Sequence, residues 1–141
     1  MKDGTWVALR VGLALMMMLA AGAAAAAPAD VLNVRASCDA ESVCSFSVAV
    51  KHPDTGWNHY ADRWEVIGPG GRLIATRVLR HPHVHQQPFT RALPGVEVPP
   101  ALDAVTIRAR CSADGFGGRE VTLKLERLPA EPAADTKSES E

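Results

Sequence analysis

The five histidines of the chain are the residues most suited to hold a transition metal. Three lie in the segment HPHVH at positions 81–85, where alternate residues of an extended chain project to the same side. Zn²⁺ and Cu²⁺ both accept imidazole nitrogen. Two of these imidazoles can therefore chelate one ion, with His52 or His59 completing the set. The alternative is that all are solvated loop residues, His59 being held by a backbone hydrogen bond.

The candidate ligands for a copper or zinc ion are therefore His52, His59, His81, His83 and His85.

A blue-copper electron-transfer site is not expected from this sequence, because such a site takes two histidines, a cysteine at a strand end and a weak axial methionine. Cys111 has the required position, but the segment SADGFGG that follows it contains no histidine. All four methionines lie at or before position 18.

The three cysteines predict one disulfide and one unpaired thiol. Cys38 and Cys44 flank a short turn and share strand parity, so they are expected to pair across a hairpin. Cys44 begins one strand and Cys111 ends another, so the two residues are expected at opposite ends of the domain. An eight-residue strand spans about 26 Å, whereas a disulfide needs Cα atoms within about 7 Å. Cys111 is therefore expected to be a small core residue, a metal ligand or half of an intermolecular disulfide.

Aromatic side chains suggest a second kind of binding. Trp57 and Tyr60 lie in the loop between His52 and the next strand, and with Phe116 they could line a surface for a protein or glycan. The alternative is that they cap the open end of a small domain. The motifs G-x-S-x-G and H-E-x-x-H are absent, so no catalytic residue is assigned and the chain is not expected to be an enzyme.

The elements that must position these residues are predicted to be β-strands. Apolar residues alternate with polar ones over 44–51, 105–111 and 121–126, which places each apolar set on one face. Less regular segments bring the total to seven strands, typical of a single immunoglobulin-like β-sandwich. If consecutive strands run up and down, the even-numbered links share one end of the sandwich. All five histidines and Cys111 then lie at that end.

The two ends of the chain are predicted to lie outside this domain. Residues 1–29 have a basic start, a short apolar segment and the sequence Ala-Pro-Ala, as in a cleaved signal peptide, with a mature start near Asp30 or, alternatively, at Ala27. Residues 129–141 form an acidic, disordered tail. The domain therefore spans 30–128, and the protein is expected to be periplasmic or secreted without a membrane span. Its formal net charge of −1 gives no electrostatic basis for binding nucleic acid.

Two segments resemble a family of small exported bacterial β-sandwich proteins of uncharacterised function. They are TGWNHYADRWEV at 55–66 and RVLRHPHV at 77–84, the second followed by QPFTR at 87–91. The resemblance covers roughly 50–125. It favours His59, His81 and His83 as the main ligands if metal binding is a family property. His85 and Cys111 depart from the pattern, since relatives carry an acidic residue there. The resemblance implies no known activity or ligand; from the residues themselves, the expected partner is a metal ion or a protein in the periplasm.

Overall fold

The computed structural model describes residues 25–130. The predicted signal peptide up to residue 24 and the acidic tail from residue 131 lie outside the described residues. The packed chain begins before Asp30, because Ala29 is buried in the core and Gly118 packs so closely on the Ala29 carbonyl that a Cβ atom would not fit. Across 25–130, no helix has the length and hydrophobicity that a membrane span requires.

Seven strands account for about half of the described chain, and their arrangement confirms the prediction of an all-β fold. They are β1 (Asp30–Cys38), β2 (Val43–Lys51), β3 (Ala61–Ile67), β4 (Leu73–Val78), β5 (Phe89–Glu97), β6 (Ala104–Cys111) and β7 (Val121–Lys124). A single 3₁₀ turn, Pro69–Gly71, joins β3 to β4. Gly70 and Gly71 of this turn have φ values of 70° and 77°, a conformation that glycine adopts without steric cost.

The strands form two antiparallel sheets that pack as a sandwich. One sheet has the order β1-β2-β5 and the other β4-β3-β6-β7. The fourth strand pairs with the third, whereas in constant-type immunoglobulin domains it joins the sheet of the first, second and fifth strands. Because β2 and β3 belong to different sheets, the link between them crosses from one layer to the other.

The core lies between the inner faces of the two sheets. In β2, Phe46, Val48 and Val50 are buried, while the residues between them face outward. In β3, Trp64 is fully buried, as its parity with Val66 predicts. This alternation is the physical reason that the strands could be recognised from the sequence, because a period of two separates a buried face from a solvated one.

Cys38 and Cys44 form a disulfide at the first hairpin, where they are direct register partners in β1 and β2. The bond closes a short loop, with a sequence separation of 6. We expect the variant Cys38→Ala/Cys44→Ala to lose about 2 kcal/mol of unfolding free energy, because the unfolded chain regains the entropy of this loop. Urea denaturation of both proteins measures the difference. An unchanged midpoint would contradict the expectation.

Candidate metal centre

Three links meet at one end of the sandwich, as the strand count predicts. They are the β2–β3, β4–β5 and β6–β7 links. Tyr60 and Ser112 exchange hydrogen bonds, with Ser112 N–H donating to the Tyr60 carbonyl at 2.8 Å and Tyr60 N–H donating to Ser112 Oγ at 3.1 Å. The peptide N–H of His83 donates to Asp54 Oδ2 at 2.6 Å. These contacts fix the loops that carry the histidines.

A group of three metal-binding side chains lies at this end: His52, His59 and Cys111. Their ligand atoms all lie within 4.8 Å of one another. Zinc–nitrogen and zinc–sulfur bond lengths imply roughly 3.5 Å between donor atoms on one ion. A closing movement of about 1 Å, within reach of side-chain rotation, therefore brings the three groups onto one ion. The group can hold a metal.

The positions of Cys111 and His59 follow from the local backbone. Cys111 ends β6 opposite Ala61, the first residue of β3, and is buried with a free thiol. Paired backbone hydrogen bonds between Cys111 and Gly115 then close a tight turn, in which Gly115 has a φ of 75°. On the facing loop, His59 N–H donates to the Gly56 carbonyl, so the imidazole is carried by a second tight turn.

Asp114 adds a carboxylate to the group, because one of its oxygens is surrounded by potential donors. Oδ2 lies 3.1 Å from His59 Nε2 and 3.7 Å from Cys111 Sγ. The hydrogen bond from His59 is the main reason that the pKa of Asp114 is below its usual value. The Asp114 side chain is thus an anion beside the thiol. It is a fourth ligand candidate that the sequence did not single out.

His52 is oriented by a buried carboxylate. Asp54 Oδ1 lies 2.6 Å from His52 Nδ1, and both side chains are inaccessible to solvent. The same oxygen accepts a hydrogen bond from Ala61 N–H at 2.9 Å, which holds the carboxylate in place. Metal-bound histidines commonly donate their second ring nitrogen to a carboxylate in this way. The arrangement leaves Nε2 as the nitrogen available to an ion.

Residue Ala27 contacts the same group through its backbone. Its carbonyl oxygen lies 2.7 Å from His52 Nε2, and its N–H donates to Asp114 Oδ2 at 3.2 Å. Both atoms that Ala27 contacts are candidate metal ligands. An ion at this position would therefore take the place of the Ala27 carbonyl on His52.

The structure does not bring His81, His83 and His85 into this group. His83 is buried, its ring stacked on Phe89 at 3.8 Å between centroids, and its Nε2 lies 2.7 Å from an Arg91 nitrogen. His81 and His85 are exposed. The reason is that Asp54 anchors the His83 peptide and turns its imidazole toward Phe89 rather than toward His59. Two pairs of the predicted ligands lie together: the ring centroids are 4.8 Å apart for His52 and His59 and 4.5 Å apart for His81 and His83. Cys111 is the third member of the group that contains the first pair.

The environment of His83 predicts a pH dependence of stability. Burial, with a smaller contribution from Arg91, lowers the pKa of His83 below 6.5. Below that pH the unfolded chain takes up a proton that the folded chain does not, so the unfolding free energy is expected to fall as pH decreases. Urea denaturation at about pH 7.5 and about pH 5.5 measures this slope. The slope should be smaller in His83→Gln and unchanged in the exposed-residue control His85→Gln; equal slopes in all three proteins would refute this.

The predicted aromatic residues make two kinds of contact in the structure. Trp57 is 66% exposed and meets Tyr60 edge to face, with ring centroids 5.7 Å apart. Phe116 makes a different contact: its ring packs under the guanidinium of Arg108 at 4.0 Å. Arg108 in turn binds the buried carboxylate of Glu65. The role of Trp57 and Tyr60 in binding a partner stays a prediction.

Comparison with known proteins gives one relative in sequence and one in structure. No family model matches the chain. A protein of Halomicrobium mukohataei named "Putative lipoprotein" is 33% identical over 98 residues, which cover 70% of this chain and 48% of that protein. This chain thus spans about half the length of that relative. The crystal structure of CopC from Methylosinus trichosporium OB3b superimposes with a TM-score of 0.36 and 12% identity, covering 74% of this chain and 97% of that one.

Proposed function

We propose that this protein is an exported β-sandwich module that binds one copper or zinc ion through His52, His59 and Cys111. The observation that carries the proposal is the approach of three donor atoms to within 4.8 Å of one another. Two imidazole nitrogens and one thiolate suit Zn²⁺ and copper, both of which accept nitrogen and sulfur ligands. Asp114 is the fourth ligand in this proposal.

The charges and burial of the group support this assignment. A thiolate and the Asp114 carboxylate together neutralise a divalent ion, so the bound state leaves no net charge at a partly buried position. His52 and Cys111 are fully buried, whereas the side chains of His59 and Asp114 are 24% and 32% exposed. An ion therefore enters from the side of His59 and Asp114 and reaches the thiol last.

Export is part of the proposal and is supported by three independent features. The first is the predicted signal peptide at 1–29, and the second is the relative named as a lipoprotein. The third is the disulfide between Cys38 and Cys44, since disulfides persist mainly in oxidising compartments. The proposed location is the periplasm or the extracellular space.

The metal content of the untagged, exported protein tests the proposal. Elemental mass spectrometry gives the stoichiometry, and titration of the chelator-treated protein with Zn²⁺ and Cu²⁺ gives the affinities. We expect one ion per chain and strong weakening in His52→Ala and His59→Ala. The matched control is His81→Ala/His85→Ala, which removes two exposed imidazoles outside the group. Equal weakening in the control, or no stoichiometric binding in the unmodified chain, would overturn the proposal.

A further inference from the structure

A small pocket near the group of His52, His59 and Cys111 is lined mainly by cationic and imidazole side chains. The cavity of about 140 Å³ lies between the end of β4, the β4–β5 link and β5. Its charged or ionisable lining residues are Arg77, Arg80, His81, His83 and Arg91. No carboxylate lines it. The remaining lining residues, Val78 and Leu79, are apolar.

The three arginines of this pocket lie on β4, in the β4–β5 link and on β5, and they differ from the arginines of β3 and β6. Arg63 and Arg108 both bind Glu65, and Arg110 binds Asp62, so each has a carboxylate partner. Within 25–130, Arg77, Arg80 and Arg91 make no ion pair. Three neighbouring positive charges that repel one another and lack a counter-ion indicate a place for an anion.

Two buried nitrogen atoms of the pocket residues also lack a hydrogen-bond partner. Arg77 Nε and His83 Nδ1 are buried and have no hydrogen-bond partner among the described residues. The His83 side chain is 2% exposed, and its nearest acidic group is Asp54, with Oδ2 at 4.0 Å from Nδ1. A buried polar atom without a partner is costly, so such atoms commonly mark a missing ligand or water.

The position of Arg91 is already fixed for binding. One of its terminal nitrogens donates to His83 Nε2 at 2.7 Å and the other donates to the Thr90 carbonyl at 2.7 Å. Each terminal nitrogen carries two N–H groups, so one N–H on each is left for a ligand. The imidazole is in turn stacked on Phe89. A guanidinium that is held in place loses less entropy when it binds a planar or tetrahedral oxyanion.

We propose that this pocket binds a tetrahedral oxyanion of the phosphate or sulfate class, with Arg77, Arg80 and Arg91 as the charged donors. Arginine presents paired N–H groups that match the oxygens of such an ion. The site is separate from the His52, His59 and Cys111 group, since none of those residues lines the pocket. Oxyanion binding therefore does not depend on a metal.

Titration of the chelator-treated, full exported chain with inorganic phosphate and with sulfate, at low ionic strength, tests the proposal. Calorimetry is expected to show saturable binding of one ion. Arg77→Gln and Arg80→Gln should each weaken it about tenfold or more, because each removes a charge-assisted hydrogen bond. Arg80 is exposed, so its substitution keeps the test valid if Arg77→Gln does not fold. Acetate is expected to bind more weakly than either dianion.

The matched control is Arg35→Gln, which removes one exposed cation from β1 that does not line the pocket. Binding should be unchanged in this variant. Equal weakening by Arg35→Gln would show a net-charge effect and overturn the assignment to the pocket. Absence of saturable binding in the unmodified chain, or equal affinity for acetate, would overturn the oxyanion class. Binding that persists in Cys111→Ser separates this site from the metal group.

Discussion

The variant Cys111→Ser is expected to bind Zn²⁺ or Cu²⁺ at least about 100-fold more weakly than the unmodified chain, because substitutions one layer outside a metal site already cost 10–100-fold. Serine has nearly the shape of cysteine but is not ionised at neutral pH, so it supplies neither the charge nor the soft sulfur ligand. Competition with a chelator of known affinity measures the change. The other side chains of the group, His52 and His59, remain in place.

A spectroscopic measurement separates loss of the ligand from loss of the fold. Co²⁺ bound by a thiolate gives a sulfur-to-metal charge-transfer band, which should be present in the unmodified chain and absent in Cys111→Ser. Because Cys111 is fully buried, circular dichroism and urea denaturation must show that the variant is folded. A folded variant with full affinity, or a Co²⁺ spectrum without a thiolate band in the unmodified chain, would remove Cys111 from the site.

The second large effect is expected at Asp54, which joins the β2–β3 and β4–β5 links. Its carboxylate receives hydrogen bonds from Ala61 N–H and His83 N–H and lies against His52 Nδ1. The variant Asp54→Ala leaves these buried groups without a partner. We expect a loss of about 3 kcal/mol or more in unfolding free energy, since breaking a buried, hydrogen-bonded pair is strongly destabilising. Chemical denaturation measures it.

The variant Asp54→Asn is a more conservative substitution, and it tests whether Asp54 orients His52. Asparagine keeps the size of the side chain but replaces one acceptor oxygen with an NH₂ group, so it cannot serve both His52 and the two peptide N–H groups. Metal affinity is expected to fall 10–100-fold even where the fold is kept. The control is Asp103→Asn, an exposed carboxylate in the β5–β6 link. Unchanged affinity in Asp54→Asn would mean that His52 needs no such support.

The fold could be predicted because the alternation of apolar and polar residues within a strand shows which face is buried. In β2 and β6 every second residue is apolar, so the inner face was visible in the sequence, and the short turn between Cys38 and Cys44 fixed the first hairpin. The link that carries His52 and His59 could likewise be assigned to the end that holds Cys111. These are local properties, and each depends on parity within one strand.

The ligand set could not be predicted, because it depends on contacts between loops. The segment HPHVH at 81–85 has the spacing of a chelating segment. However, the peptide N–H of His83 donates to the buried Asp54, and the side chain of His83 is buried. Asp114 lies in the glycine-rich turn after Cys111, so the strand count placed it at the histidine end, but it did not predict the direct contact with His59 Nε2. The missing histidine and methionine argued only against a blue-copper electron-transfer site, and the two imidazoles near Cys111 come from the β2–β3 link. Only the three-dimensional approach of the two links shows this.

If the predicted signal peptide is cleaved, the backbone contacts of Ala27 make the donor set depend on which peptide bond is cut. In a chain that starts at Asp30, the carbonyl on His52 Nε2 and the N–H on Asp114 are both gone, and the two side chains are open to an ion. In a chain that starts at Ala27, a free α-amine stands beside Asp114 and adds a nitrogen donor. An uncut precursor keeps the carbonyl in place, so it is expected to take up metal more slowly. Under the proposed function, such a cleavage would therefore precede the binding of the ion.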